Sequence, residues 1–323
     1  MTPSSIIAAV CNTFDIKKRT PYYYKTNREK FKIHLNRTQK GIKFFHLTYK
    51  SPIVSPFKEN NTVFAQYIEP EEVKSAAIFL HGLGVNNMKR WTYLAQFLAR
   101  QKIASLLIEL PYHIHRTPMA KKSGELFILA NAIKTFNHFE QAVLDVRKGI
   151  DFLEQRNFSK IGIIGTSLGS MISLIAQSFD KRIKKSVLIL SGGDIELLKW
   201  RSPAMWKVRK AHLRIGVNHR VCIKNRKPIP SFIKKIKEGN PIDKIQAPVA
   251  CFYFEPLAFA PLVKRENVLM INGLFDIIIP KTSTIKLWHA LKKPQIVWYP
   301  LSHFTIYLAY YPITRRISKF LKY

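Results

Sequence analysis

The chain has 323 residues, 47% hydrophobic and 23% charged, a balance that excludes a disordered protein and supplies enough apolar surface for one large core. Its three cysteines, Cys11, Cys222 and Cys251, make no C-x-x-C pair, which argues against a disulfide framework or a cysteine-rich zinc module and fits a reducing compartment. The formal charge of +33 speaks about partners and solubility rather than fold: anionic lipid, RNA and an unspecialised lysine-rich surface all satisfy it. No run of 18 apolar residues occurs, so no membrane-spanning helix is expected. The opening Met1–Cys11 stretch lacks the basic and long apolar regions of a signal peptide. The expectation is a cytoplasmic protein, peripheral to a membrane at most.

In chain order, residues 1–40 form an N-terminal extension with Lys17-Lys18-Arg19 and Tyr22-Tyr23-Tyr24, to which no element is assigned. Gly41–Tyr49 and Thr62–Ile68 read as strands of an antiparallel edge. From residue 75 short apolar runs alternate with amphipathic ones. Ala76–Leu80, Ala104–Leu110, Ile161–Gly165, Val187–Leu190, Val268–Ile271 and Ile296–Tyr299 are continuous apolar runs, as a parallel sheet covered on both faces requires. Between them Met88–Gln101, Phe136–Arg156, Leu168–Phe179 and Thr282–Lys292 have helical spacing. The fold class is therefore α/β, a mostly parallel mixed sheet with helices on both faces.

The alternation is interrupted at residues 195–265, which carry sixteen Lys and Arg against four acidic residues, Trp200, Trp206 and seven prolines. An insertion of this length in a compact domain is usually functional, and a basic lid or cap over a site is expected. The sheet domain would then be 41–194 together with 266–323.

Gly165-Thr166-Ser167-Leu168-Gly169 directly follows an expected strand and opens an expected helix. In that context G-x-S-x-G is a tight turn that lifts the serine oxygen clear of the sheet, at a helix N-terminus that favours negative charge. His81-Gly82-Leu83-Gly84 follows the Ala76–Leu80 strand, where the N–H groups of Leu83 and Leu168 can address one oxyanion. Asp276 follows the next-to-last strand in Asn272-Gly273-Leu274-Phe275-Asp276, and His303 follows the last. Asp194, after the Val187–Leu190 strand, competes with Asp276 for the acid position; the Asn-Gly before Asp276 and Pro280 after it favour Asp276.

With the order Ser167, Asp276, His303 in place, residues 75 to 310 resemble the α/β-hydrolase superfamily. The resemblance implies the α/β-hydrolase fold, a Ser-His-Asp triad working through an acyl-enzyme, and no cofactor or metal. It leaves the substrate open, with a carboxylic ester, including a lipid ester, preferred over peptide, thioester or acyl transfer. The loop Pro111-Tyr112-His113-Ile114-His115-Arg116-Thr117-Pro118 departs from the superfamily's usual turn and resembles an α/β-hydrolase group that includes mitochondrial proteins. Within it His113 and Arg116 are candidate substrate contacts, Arg116 through its bidentate fork, while His113-x-His115 lacks a third ligand for a metal. The competing expectation is a non-catalytic hydrolase fold that binds anionic lipid or RNA through its charge. An anionic membrane surface is an expected partner, a specific nucleic acid is not, and the oligomeric state is open.

Overall fold

A computed structural model describes residues 20–26, 30–245 and 247–322. The readings of the chain start, of Cys11 and of Lys17-Lys18-Arg19 lie outside the described residues. Three antiparallel strands come first: β1 (Lys32–Gln39), β2 (Ile42–Lys50) and β3 (Thr62–Pro70). Next come β4 (Ser75–Leu80), α1 (Lys89–Ala99), β5 (Ile103–Ile108), α2 (Ala132–Gln155), β6 (Ile161–Thr166), α3 (Leu168–Phe179) and β7 (Ile183–Ile189). A helical stretch follows, with α4 (Ile195–Arg201), α5 (Trp206–Arg214), α6 (His219–Arg226), α7 (Ile229–Lys237) and the short α8 (Pro256–Phe259). The chain then returns to the sheet through β8 (Val268–Gly273), α9 (Lys281–Ala290), β9 (Gln295–Tyr299) and α10 (Tyr310–Leu321).

All nine strands join one sheet in the order β1-β2-β3-β5-β4-β6-β7-β8-β9, antiparallel up to the β3–β5 pair and parallel from β5 through β4 to β9. Every residue of β4, β5, β6 and β8 is buried, the physical counterpart of their unbroken apolar sequence. On one face α2 and α3 pack through stripes such as Phe139, Val143, Val146 and Ile150, together with the aromatic end of the 195–265 segment. On the other, α1 and α10 close the sheet with Trp91, Leu94, Leu98, Ile313 and Ile317.

The boundary expected at residue 40 falls inside the β1–β2 hairpin, so the sheet starts at Lys32. The alternating Phe31, Ile33 and Leu35 mark β1 only briefly, because it is an edge strand, exposed at seven of its eight positions, where lysine and arginine discourage pairing with another chain. Upstream, Tyr22 is nearly fully buried. Its ring stacks on Phe179 at 4.7 Å and meets Phe136 and Phe259 edge-on, while its hydroxyl donates to the Tyr253 carbonyl at 2.7 Å. This one side chain pins the start of the described chain to α2, α3 and the inserted segment. Tyr22→Ala should cost about 3–5 kcal/mol by the usual price of a large aromatic cavity, whereas Tyr22→Phe should cost about 1 kcal/mol for the hydrogen bond alone. Urea denaturation of both variants checks the ratio; equal, small losses would place the segment outside the cooperative fold.

Candidate active site

The site is assembled at the carboxyl end of the parallel strands. β6 runs into α3 through Ser167, held at φ 55° and ψ −117°, with its N–H donating to the Ile189 carbonyl at 2.8 Å. The flanking glycines are dictated by close backbone approach. A Cβ on Gly165 would lie 2.2 Å from the Gly169 carbonyl oxygen, and one on Gly169 would lie 2.4 Å from that of Leu80. Leu168 is the first helical residue, so its N–H has no carbonyl within the helix to bond. The Gly82 backbone passes over the serine so closely that a Cβ there would sit 3.4 Å from Ser167 Cβ.

Asp276 follows β8 on a tight loop. Its Oδ1 accepts from the N–H groups of Ile278 and Ile279 at 2.8 and 2.9 Å, and its Oδ2 lies 2.8 Å from His303 Nδ1. The Asp276 and His303 loops are laced together by Leu274 N–H to the Tyr299 carbonyl and Phe275 N–H to the Leu301 carbonyl. Donation from Nδ1 to the carboxylate fixes the imidazole tautomer and leaves Nε2 as its basic nitrogen. Ser167 and His303 line one cavity of about 340 Å³, together with Gly82, Leu83 and Leu168.

Asp194, the competing acid, has other work. Its side chain caps α4 by accepting from Leu197 N–H at 3.1 Å, and it pairs with Lys286 at 2.7 Å and Arg226 at 3.3 Å. Burial alone would raise its pKa, but Arg226 and Lys286 outweigh that and hold the carboxyl below its ordinary value. Arg226 also pairs with fully buried Glu255, which burial pushes up to about 7 against the pull of the guanidinium. This cluster ties α6 to the start of α4 and so fixes the inserted segment on the core.

His113 and Arg116 are not where substrate contacts were expected. Arg116 is fully buried, bonded to Asp145 Oδ2 at 2.8 Å and to the carbonyls of Glu109 and Asn60. It holds β5's loop against α2, and its fork is used on the protein itself. His113 is equally buried, with Nδ1 on the Pro111 carbonyl at 2.8 Å and Nε2 accepting from Gly84 N–H at 3.1 Å. Neither lines the cavity. His115 turns away to Glu109 at 2.8 Å. Among the described residues no three His, Cys, Asp or Glu side chains gather as a metal-ligand set.

The inserted segment forms part of the cavity wall through α4 and α5, with Leu198, Met205 and Val208, and through Phe254. Of the aromatic residues of the segment, Phe254 lines the cavity. Phe252 and Phe259 are in the core behind it, and Trp206 is exposed. Sequence reasoning missed Phe304, Tyr307 and Arg90, which complete the rim; Arg90 lies over the Tyr307 ring at 4.3 Å. Nothing in their spacing marks them, because they are brought together by the packing of α1 against the loop before α10.

Buried without a countercharge, His81 is pushed down to about 4, its Nδ1 on the Gly82 carbonyl and its Nε2 accepting from Leu110 N–H. A depressed folded value means its contribution to stability is complete above the unfolded value of 6.5 and is lost as pH falls from there toward 4. The His81 ring resonances should therefore show no titration between pH 8 and about 5 in NMR spectra; a midpoint near the ordinary histidine value would contradict the buried, doubly bonded ring.

Residues 13–194 match the family model described as alpha/beta hydrolase domain containing 18. An uncharacterized protein of Mycobacterium tuberculosis is 27% identical over 197 residues, which cover 60% of this chain and 40% of the relative, so the chain spans well under half of that protein's length. Among solved structures, an acetyl xylan esterase from Paenibacillus sp. R4 is similar with a TM-score of 0.65 at 17% identity, covering 95% of this chain and 92% of the esterase. An acylaminoacyl peptidase from Pyrococcus horikoshii is similar with a TM-score of 0.55 at 16% identity, over 87% of this chain and 40% of the peptidase.

Proposed function

This chain belongs to the alpha/beta hydrolase domain containing 18 family, and from that premise we propose that it is a serine hydrolase of carboxylic esters. The observation that carries the reading is the Asp276–His303 pair, bonded across two adjoining loops, with His303 on the same cavity as Ser167. His303 Nε2 takes the Ser167 proton as the serine oxygen attacks the acyl carbon, and Asp276 stabilises the imidazolium that forms. The oxyanion rests on the N–H groups of Leu83 and Leu168. The proton then passes to the departing alcohol, and water, activated by His303, releases the acid from the acyl-enzyme.

The fold is shared with esterases and with a peptidase, so the choice of ester rests on the cavity. Its wall is largely aliphatic and aromatic and, among the described residues, contains no carboxylate, while Arg90 and Lys199 supply positive charge. An apolar acyl chain beside an uncharged or anionic leaving group suits that lining. The kinetic test is hydrolysis of p-nitrophenyl butyrate. Ser167→Ala should lose on the order of 10⁴- to 10⁶-fold in kcat, and Asp276→Asn about 10⁴-fold. Asp194→Asn should lower activity far less and act mainly on stability, because it breaks a cap and two ion pairs. If Asp194→Asn were the more damaging of the two acid variants, the acid assignment would be wrong.

The rim supports a second element of the proposal, that the ester is presented at an anionic lipid surface. Phe304 lines the cavity and is 68% exposed, which marks the mouth, and Phe275, Ile277 and Leu308 on the same two loops are 65%, 67% and 79% exposed. Large exposed apolar groups clustered at a site entrance mark an interaction surface. Of the basic residues of α4 and α5, Lys199 turns inward to Cys222 and Arg209 to the Lys199 and Ser202 carbonyls, while Arg201, Lys207 and Lys210 are exposed. The Phe275→Ser/Leu308→Ser double variant should bind phosphatidylglycerol vesicles on the order of tenfold more weakly, with hydrolysis of soluble p-nitrophenyl butyrate retained. Unchanged co-sedimentation would remove the lipid surface and leave a hydrolase of soluble esters.

A further inference from the structure

Two buried imidazoles lie side by side under the loop that carries Leu83, with ring centroids 4.8 Å apart. Their bonds are reciprocal. His81, on the loop after β4, accepts from Leu110 N–H at the end of β5. His113, on the loop after β5, accepts from Gly84 N–H in return, at 3.1 Å. Each ring donates its Nδ1 proton to a carbonyl of its own loop, Gly82 or Pro111, at 2.8 Å. All four ring nitrogens are thus used, and both rings are in the same neutral tautomer. A third stitch runs alongside, in which Ser123 Oγ donates to the Val85 carbonyl and accepts from Ile114 N–H.

The loop that presents His113 is held in an unfavourable backbone. Tyr112 and Ile114 on either side have φ of 64° and 52°, and for a β-branched residue such as isoleucine that is a genuine outlier. Strain of this kind persists where the surroundings over-determine it, as at functional sites. The space is also closed from the far side. Gly124, at φ +76°, lies so near that a Cβ there would be 2.4 Å from His113 Nε2 and 2.8 Å from Gly84 N.

We propose that His113 is a positioning residue for the oxyanion site: by accepting the Gly84 N–H it fixes the Gly82–Gly84 backbone over Ser167, so that Leu83 N–H is aimed before substrate arrives. The inference rests on the reading of Ser167 as nucleophile. It assigns His113 a role that touches neither substrate nor reacting atoms. An aimed N–H matters most in the transition state, where the negative charge is, so misplacing it lowers kcat rather than weakening ground-state binding.

Three variants test this: His113→Leu, which removes the acceptor; His113→Gln, whose Oε1 can restore it; and Gly124→Ala, which leaves His113 intact but wedges it from Gly84. Each is assayed with p-nitrophenyl butyrate beside wild type and Ser167→Ala, with thermal melts, and with a short alkyl boronic acid that binds as a tetrahedral anion. The expected result for His113→Leu and Gly124→Ala is a fall in kcat of roughly 10²-fold, KM within about twofold, and a parallel weakening of boronic acid affinity. His113→Gln should recover at least tenfold of that loss. If His113→Leu does not fold, the Gln and Gly124→Ala pair still decides. Changes confined to melting temperature, or equal losses in the Leu and Gln variants with boronic acid affinity unchanged, would overturn the proposal while leaving the Ser167 reading standing. Wild-type hydrolysis undiminished in Ser167→Ala would overturn both.

Discussion

The arrangement depends on one steric constraint, the meeting of backbone with backbone at the end of β6. Gly165 and Gly169 let the strand turn directly into α3 while α3 lies against the carbonyls at the end of β4. Ser167 is thereby held in the left-handed region at the opening of α3, beside the loop after β4. A Cβ at Gly169 would drive α3 from the Leu80 and His81 carbonyls, and one at Gly165 would collide with the Gly169 carbonyl inside the elbow. The placement of Ser167 beside the loop after β4 is in this sense a consequence of two missing Cβ atoms.

The motifs of the sheet's carboxyl edge were legible because each has a local cause. A glycine pair at a forbidden approach, an Asn-Gly before a displayed aspartate and a histidine after the last strand can all be read along the chain. What could not be read depends on partners far away. Arg116 resembles a free anion-binding fork until Asp145, on α2, is brought against it in the core. His113 resembles a pocket residue until Gly84 reaches it from another loop. The β1 strand shows only a brief alternation, Phe31, Ile33 and Leu35, before polar residues follow on an exposed edge, and Tyr22 sits in a stretch whose basic surroundings conceal one deeply packed ring. Which side chains of the inserted segment turn toward the cavity also could not be read along the chain.

Charge is distributed in two ways that have different consequences. The excess of lysine and arginine is mostly solvated surface, where a single pair contributes little and screening is strong. Inside, the few acidic groups are spent on structural pairs: Asp145 with Arg116, Asp194 with Arg226 and Lys286, Asp180 with Arg147 and Arg182. Asp276 differs in being directed at a histidine on the cavity. Among the described residues that line the cavity there is no carboxylate, so nothing acidic on its wall opposes an anionic ligand, and Asp276 meets His303 from outside that lining.

Ser167 is proposed as the reactive nucleophile of this site. Its most direct test is reaction of the folded protein with an alkyl fluorophosphonate, followed by peptide mass spectrometry to locate the adduct. The account predicts one stoichiometric adduct on the peptide containing Gly165-Thr166-Ser167-Leu168-Gly169, absent after heat denaturation. No adduct on the native protein, or an adduct on another serine with Ser167 unmodified, would contradict it.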